Sequence, residues 1–279
     1  MFSYLRSHLN QRQKSQIKYC LAFFSLLHLK SVGNNSKYKF TVRDLFEKLY
    51  PVSTDVELLR CGGNSDGSYI VPLLDFGYDG VVSPGVGQTF EFEKAISSND
   101  CRVVLIDGTV DRPQNLPPGF VFLQKMLGSS TNPERNQISI KEVTTQYFPT
   151  SQSLVLQMDI EGGEYEVLNS LNEDDLIPFA TILVEFHHLH KLNENLSWNS
   201  EIKGAIQIFE RDFILIHTHP NNAGGFFLWK FRKLPKVVET TWVRKSLVGE
   251  VHGQAKLPHP LDRRNDTLME DLALPAFTG

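Results

Sequence analysis

LVLQMDIEGGEYEVL, residues 154–168, is the stretch whose reading decides the fold. Leu154 to Met158 is a short apolar run with the length of a strand buried on both faces, and it stops abruptly at Asp159. Gly162 and Gly163 turn the backbone. Glu164, Tyr165 and Glu166 then open a helical pattern, with acids in the first turn where the helix dipole favours negative charge. Strand, tight turn and helix in that order form the first half of a βαβ unit.

Working outward, three further runs have the same character: DGVV at 79–82, RVVLI at 102–106 and ATILV at 180–184. Helical patterns at 90–96 and 165–171 fall between them. The alternation predicts an α/β fold, a Rossmann-like, mostly parallel sheet with helices on both faces. Later runs at 213–216 and 226–231, separated by Asn221-Asn222-Ala223-Gly224-Gly225, predict an antiparallel hairpin at the sheet edge. Upstream, TVRDLFEKL at 41–49 reads as a helix capped by Thr41 and stopped by Pro51, and residues 56–71 as a short strand pair around a Gly-rich turn. The polar stretch SVGNNSKYKF at 31–40 is the one candidate linker. The expected organisation is a helical appendage at 1–40, the α/β domain at 41–252 and a tail at 253–279, loosely held because it carries Pro258, Pro260, Pro275 and many charges.

Composition excludes several classes. With 28 basic against 32 acidic residues the net charge is −4, and no basic run is long enough to neutralise successive phosphates, so no nucleic-acid partner is expected. Cys20, Cys61 and Cys101 are far apart and odd in number, which argues against a disulfide framework or a zinc-finger spacing and for a reducing, cytoplasmic setting. The apolar stretch at 19–29 is far short of the ~20 residues needed to span a bilayer. Apolar positions at helical spacing over 17–29 leave two readings open, a docking helix or a membrane-surface or targeting segment.

In an open α/β sheet ligands bind outside the carboxyl ends of the strands, so the residues just after each run are the informative ones. After the first come Gly85 and Gly87, which let a ligand approach the backbone ahead of a helix N-terminus. After the second comes Asp107, about 20 residues beyond, an acid able to accept from both hydroxyls of a ribose or simply to cap its own turn. After the third come Asp159 and Glu161, on one side of the chain; local capping explains Glu164 and Glu166 but not Asp159. After the fourth come Glu185 and His187 on one face, and the late run supplies His217 and His219 on one face, so that the pairs can share a crevice. Imidazoles beside carboxylates suit a general base. HTH at 217–219 is not the HExxH spacing of a zinc helix, and no metal is expected.

With these residues in place, the chain resembles the FkbM-type S-adenosylmethionine-dependent methyltransferases. MDIEGGEYEVL at 158–168 matches that family's K-x-D-x-E-G-x-E-x-x-V-L signature, with Gln157 where Lys is common. Asp66-Gly67-Ser68-Tyr69, Ser83-Pro84-Gly85-Val86-Gly87 with Phe92-Glu93 behind it, Ile106-Asp107, Glu185-Phe186-His187 and His217-Thr218-His219-Pro220-Asn221-Asn222 add to the likeness, over about 56–248. Ser83 stands where methyltransferases generally carry an acid. The resemblance implies S-adenosyl-L-methionine as cofactor, held by Gly85, Gly87, Asp107 and Asp66. It implies a small-molecule or glycan hydroxyl as acceptor, oriented by Glu161, Glu185, Asn221 and Asn222. Asp159, His187 or His219 would remove the acceptor proton. Rival readings are a non-catalytic cofactor-binding or interaction module on the same fold, a metal-dependent hydrolase built on Asp159, Glu185 and the histidines, and a nicotinamide dehydrogenase, which leaves the DIEGGE segment unexplained.

Overall fold

A computed structural model describes residues 40–64, 66–97, 101–193 and 196–277. The expected appendage at 1–40, with its apolar stretch at 17–29, lies almost wholly outside the described residues. Seven strands form the central sheet: β1 (Gly80–Pro84), β2 (Arg102–Ile106), β3 (Phe120–Leu123), β4 (Leu154–Met158), β5 (Phe179–Phe186), β6 (Phe213–Pro220) and β7 (Val238–Arg244). Five helices accompany them: α1 (Val42–Lys48), α2 (Glu91–Ile96), α3 (Ile140–Tyr147), α4 (Glu164–Ser170) and α5 (Leu196–Gln207).

The strand order is β6-β7-β5-β4-β1-β2-β3. β1 to β5 pair in parallel, and β7 lies antiparallel between β5 and β6. The chain runs outward from β1 to β3 and then returns to β4 on the other side of β1. That reversal opens a crevice at the carboxyl ends of β1 and β4, where doubly wound sheets bind ligands.

The buried runs divide by parity, as a pleated strand requires. Val82, Val104, Leu156 and Val184 join one cluster with side chains from α1, α3, α4 and α5. Val81, Val103, Val155 and Leu183 face the other way, against Phe92 of α2 and the ribbon of Leu58–Cys61 paired with Tyr69–Pro72. Helices therefore cover both faces, but on the second face a β-ribbon does much of the covering. Full burial of each such aliphatic side chain contributes about 1.5–3 kcal/mol, and Leu156→Ala in this wall would cost about 2–5 kcal/mol. Thr41 caps α1 in a reciprocal box with Asp44, which turns Val42, Leu45 and Phe46 into the core.

Two expectations need correction. The late hairpin does not join 213–216 to 226–231: β6 pairs with β7, and Phe226–Trp229 pairs with Arg232–Pro235 in a separate ribbon. β7, VETTWVR, carries Glu239, Thr240 and Thr241 in succession, so it does not read as an apolar run although the strand is buried. The tail is not loosely held up to residue 277. Asp262 bonds His217, Asn222 accepts from the Asp266 N–H at 2.9 Å, Asn265 bonds Glu239, and Leu274 is buried in the core.

Candidate active site

Gly85 sits at the tip of β1 with φ +84°, and a Cβ there would stand 1.5 Å from the carbonyl oxygen of Asp159. Only glycine lets β1 and β4 close at the switch point. Gly87, at φ +60°, has nothing within 4 Å of a built Cβ and therefore faces open space. Its N–H donates to Asp107 Oδ2 at 2.9 Å, and Asp107 Oδ1 accepts from the Thr109 N–H at 2.8 Å and hydroxyl at 2.6 Å. Burial would raise the Asp107 carboxyl, yet the bonds from Thr109, Gly87 and Val110 outweigh it and hold it below the usual value. Asp107 thus ties the tip of β2 to the glycine turn, and its lone pairs are already engaged by protein donors.

Ser83 sits beneath that turn, where an acid is common in methyltransferases. A carboxylate is nevertheless present: Glu93 reaches in from α2 and bonds the Ser83 hydroxyl. Burial pushes the Glu93 carboxyl above its ordinary value, and the bond with the Ser83 hydroxyl opposes that shift. Ser83 donates to Gln157 Oε1 at 2.7 Å, and the Gln157 amide donates to the Tyr69 hydroxyl at 3.0 Å. Gln157 has a place in this chain of bonds that a lysine would not fill.

Beyond Gln157 a row of polar side chains crosses the sheet. Val184 pairs with Met158, Glu185 with Glu239 and Glu239 with His219, so Asp159, Glu185, Glu239 and His219 follow one another from β4 to β6. Burial, reinforced by the charges of Glu161 and Glu164 and opposed by His187, pushes Asp159 up to about 7. Burial raises Glu185 well above the ordinary range, with Asp159 and Glu239 adding to it. The two carboxyls thus act on each other at the ends of neighbouring strands, Asp159 raising Glu185 and the hydrogen bond with Glu185 holding Asp159 back. Asn221 donates to Glu185 Oε1 at 2.7 Å and accepts from the Ala223 N–H, so it orients that carboxyl.

His187 is the pivot of the corner. Its Nδ1 is 2.9 Å from Glu164 Oε1 and 3.1 Å from the Glu185 carbonyl; both are acceptors, so Nδ1 carries the proton. Its Nε2 stands 3.5 Å from Glu161 Oε2, 3.7 Å from Asp159 Oδ1 and 3.9 Å from Glu185 Oε1. Burial alone would lower this imidazole, but the Glu164 bond and the surrounding carboxylates raise it. Glu161 is 86% exposed and adopts φ +56°, a left-handed conformation unfavourable to any residue with a Cβ by about 1–2 kcal/mol.

Glu164 is the residue that sequence reasoning missed. It is fully buried, accepts the Ile160 and Gly162 N–H groups at 3.1 Å each, and holds His187 as well. Local capping accounts for the first two bonds; the third spans 23 residues and has no local signal.

The other expected site residues lie toward the tail. His219 Nδ1 is 3.4 Å from Glu239 Oε2, Asn222 clasps Asp266, and exposed Asp66 accepts from Asn265 at 2.8 Å. A cavity of about 380 Å³ lies on this side, lined among others by Tyr50, Thr218, His219, Asp262 and Asp271. Another of about 340 Å³, lined by Asp55, Glu57 and residues 73–76, involves the segment preceding β1 rather than the strand tips.

Residues 95–215 match the model of the methyltransferase FkbM domain. The matched span covers β2 to β5 and the start of β6, including Asp107, Asp159, Glu161, Glu164, Glu185 and His187, while the Gly85–Gly87 turn precedes it. No curated protein matches the chain. Among solved structures, a fibrillarin/Nop5p complex is similar at 9% identity and TM-score 0.33, covering 60% of this chain and 72% of that one. The Methanococcus jannaschii fibrillarin pre-rRNA processing protein is similar at 11% identity and TM-score 0.35, covering 68% of this chain and 83% of that one. Among the described residues of the chain, no helix is long and apolar enough to cross a membrane.

Proposed function

We propose that the chain transfers a methyl group from S-adenosyl-L-methionine to a hydroxyl of a small molecule or glycan, with the acceptor at the Asp159–Glu185–His187 corner. One observation carries this reading: the Asp159 carbonyl lies directly under Gly85, so the open glycine turn and the carboxyl pair share one edge of the crevice. The cofactor fits the open side of Gly87 rather than the engaged lone pairs of Asp107; Gly85, Gly87 and Asp107 together give the turn its shape. Asp66 is the outer limit of that cradle. When bound, the cofactor supplies an electrophilic methyl on a sulfonium.

The protein's part is placement and proton removal. The Asp159–Glu185 pair takes the hydroxyl proton as the oxygen attacks, with the His187 ring bordering Asp159 and Asn221 aligning Glu185. His219 is three strands from Asp159, roughly 14 Å at about 4.8 Å per strand, too far to share that proton. Glu161 and Asn222 border the acceptor side, Asn222 by holding the tail in place. The buried free thiol of Cys61 agrees with a reducing, cytoplasmic setting.

The test is transfer of labelled methyl from S-adenosyl-L-methionine to a panel of polyols, sugars and phenols. Asp159→Asn is expected to lower turnover by at least ~100-fold with cofactor affinity kept. Labelling of amines or carboxylates alone, or undiminished turnover in Asp159→Asn, would remove the reading.

A further inference from the structure

We propose that Asp159, Glu161 and His187 form a site for one divalent first-row transition-metal cation. The use of that cation, to hold the acceptor oxygen, rests on the methyltransferase reading above; the binding itself does not. Each of the three residues offers one donor atom, and the three atoms lie within 4.8 Å of one another. Ligands about 2.0–2.2 Å from a common ion stand roughly 3–3.6 Å apart, so the 3.5 and 3.7 Å from His187 Nε2 to its two carboxylate neighbours need little contraction.

Three independent features point to a cation rather than to a chance gathering of acids. With the proton on Nδ1, fixed by Glu164 and the Glu185 carbonyl, Nε2 presents a lone pair to the cluster, the carboxylate–imidazole–metal arrangement of ligating histidines. The His187 side chain is 8% exposed, and no hydrogen bond is made by Nε2. The buried Asp159 Oδ1 facing it also has no hydrogen-bond partner, so two acceptors meet with no donor between them. Finally, Asp159, Glu161, Glu164 and Glu185 form their ion pairs with His187 alone, and among the described residues no lysine or arginine answers their charge.

The strained backbone of Glu161 fits the same assignment, since the left-handed turn carries its carboxylate back onto His187. Two carboxylates and one imidazole suit Mn2+, Fe2+ or Zn2+ better than an all-oxygen Ca2+ cage. Because the Glu161 side chain is largely exposed, one side of the site stays open to water or to an acceptor carrying adjacent oxygens.

The experiment is titration of MnCl2 into the full chain after chelator treatment and dialysis, with free Mn2+ read by its paramagnetic resonance signal. One equivalent is expected to bind. Glu161→Gln, on an exposed side chain, is expected to weaken binding at least ~10-fold and His187→Gln at least ~100-fold, while Glu166→Gln leaves it unchanged. Thermal melting of each variant separates lost binding from lost folding. Absence of stoichiometric binding, or equal binding by the wild type, Glu161→Gln and His187→Gln, would overturn the site. Titration of S-adenosylhomocysteine into the metal-free protein keeps the two readings apart. Mn2+ binding without it leaves the cation site and removes the methyltransferase role; the converse removes the cation site alone.

Discussion

Two histidine corners sit on the same edge of one sheet, and they differ in what answers the imidazole. At His217 the partner is Asp262 from the tail, 2.8 Å away, with both side chains at most 6% exposed. At His187 the partners are four carboxylates, one of them in solvent, and Nε2 makes no hydrogen bond. In sequence both read as a histidine following an apolar run, flanked by a second histidine. The fold makes the first a clasp and leaves the second open for chemistry, because the tail sends Asp262 and Asn265 to His217 on β6 and Glu239 on β7.

Substitutions can break this contrast. The largest effect is expected from Gly85→Ala, whose Cβ would strike the Asp159 carbonyl; both folding stability and cofactor binding fall, by more than ~3 kcal/mol in a denaturant titration. Next comes Asp262→Ala, which strands buried His217 and is expected to cost about 3 kcal/mol, while turnover per folded molecule changes less than ~3-fold. If Asp262→Ala instead abolished turnover in folded protein, the clasp would belong to the active site.

A smaller effect follows from pH. Bonds from His217 and the His259 N–H outweigh burial and hold Asp262 below its ordinary 3.8, so its stabilisation is present above that value and lost as pH falls through the depressed one. The raised His219, where the Glu239 bond outweighs burial, stabilises below 6.5 and loses this as pH rises through its higher folded value. Resistance to denaturant is therefore expected to be greatest between about pH 4 and 6.5, and a flat profile would show that neither pair stabilises the fold. The smallest effect is Glu166→Gln, an exposed bond to Ser129, expected to change stability by less than ~0.5 kcal/mol.

The parallel heart of the fold was legible because buried parallel strands are apolar on both faces and therefore read as runs. β3 was not: FVFL follows Pro117, Pro118 and Gly119, and on the outer edge of the sheet it needs no sign of its own beyond four residues. β7 escaped because Glu239, Thr240 and Thr241 interrupt its apolar run, their polar groups being satisfied by contacts distant in sequence such as Thr240 to the Val184 carbonyl and Thr241 to the Ile70 carbonyl. At the site, Gly85, Asp159, Glu185 and His187 were legible as residues after strand ends, whereas Glu164, Glu93 and the tail anchors act through contacts far apart in sequence. A spacing rule could not disclose the cation site either, since its donors come from the ends of two strands rather than one helix.

The most direct measurement is a crystal structure of the full chain grown with S-adenosylhomocysteine. The account predicts the ligand against the open side of Gly87, with its sulfur directed toward Asp159 and the acceptor corner. Density for it in the cavity beside Thr218 and His219, with the glycine turn bare, would contradict the account.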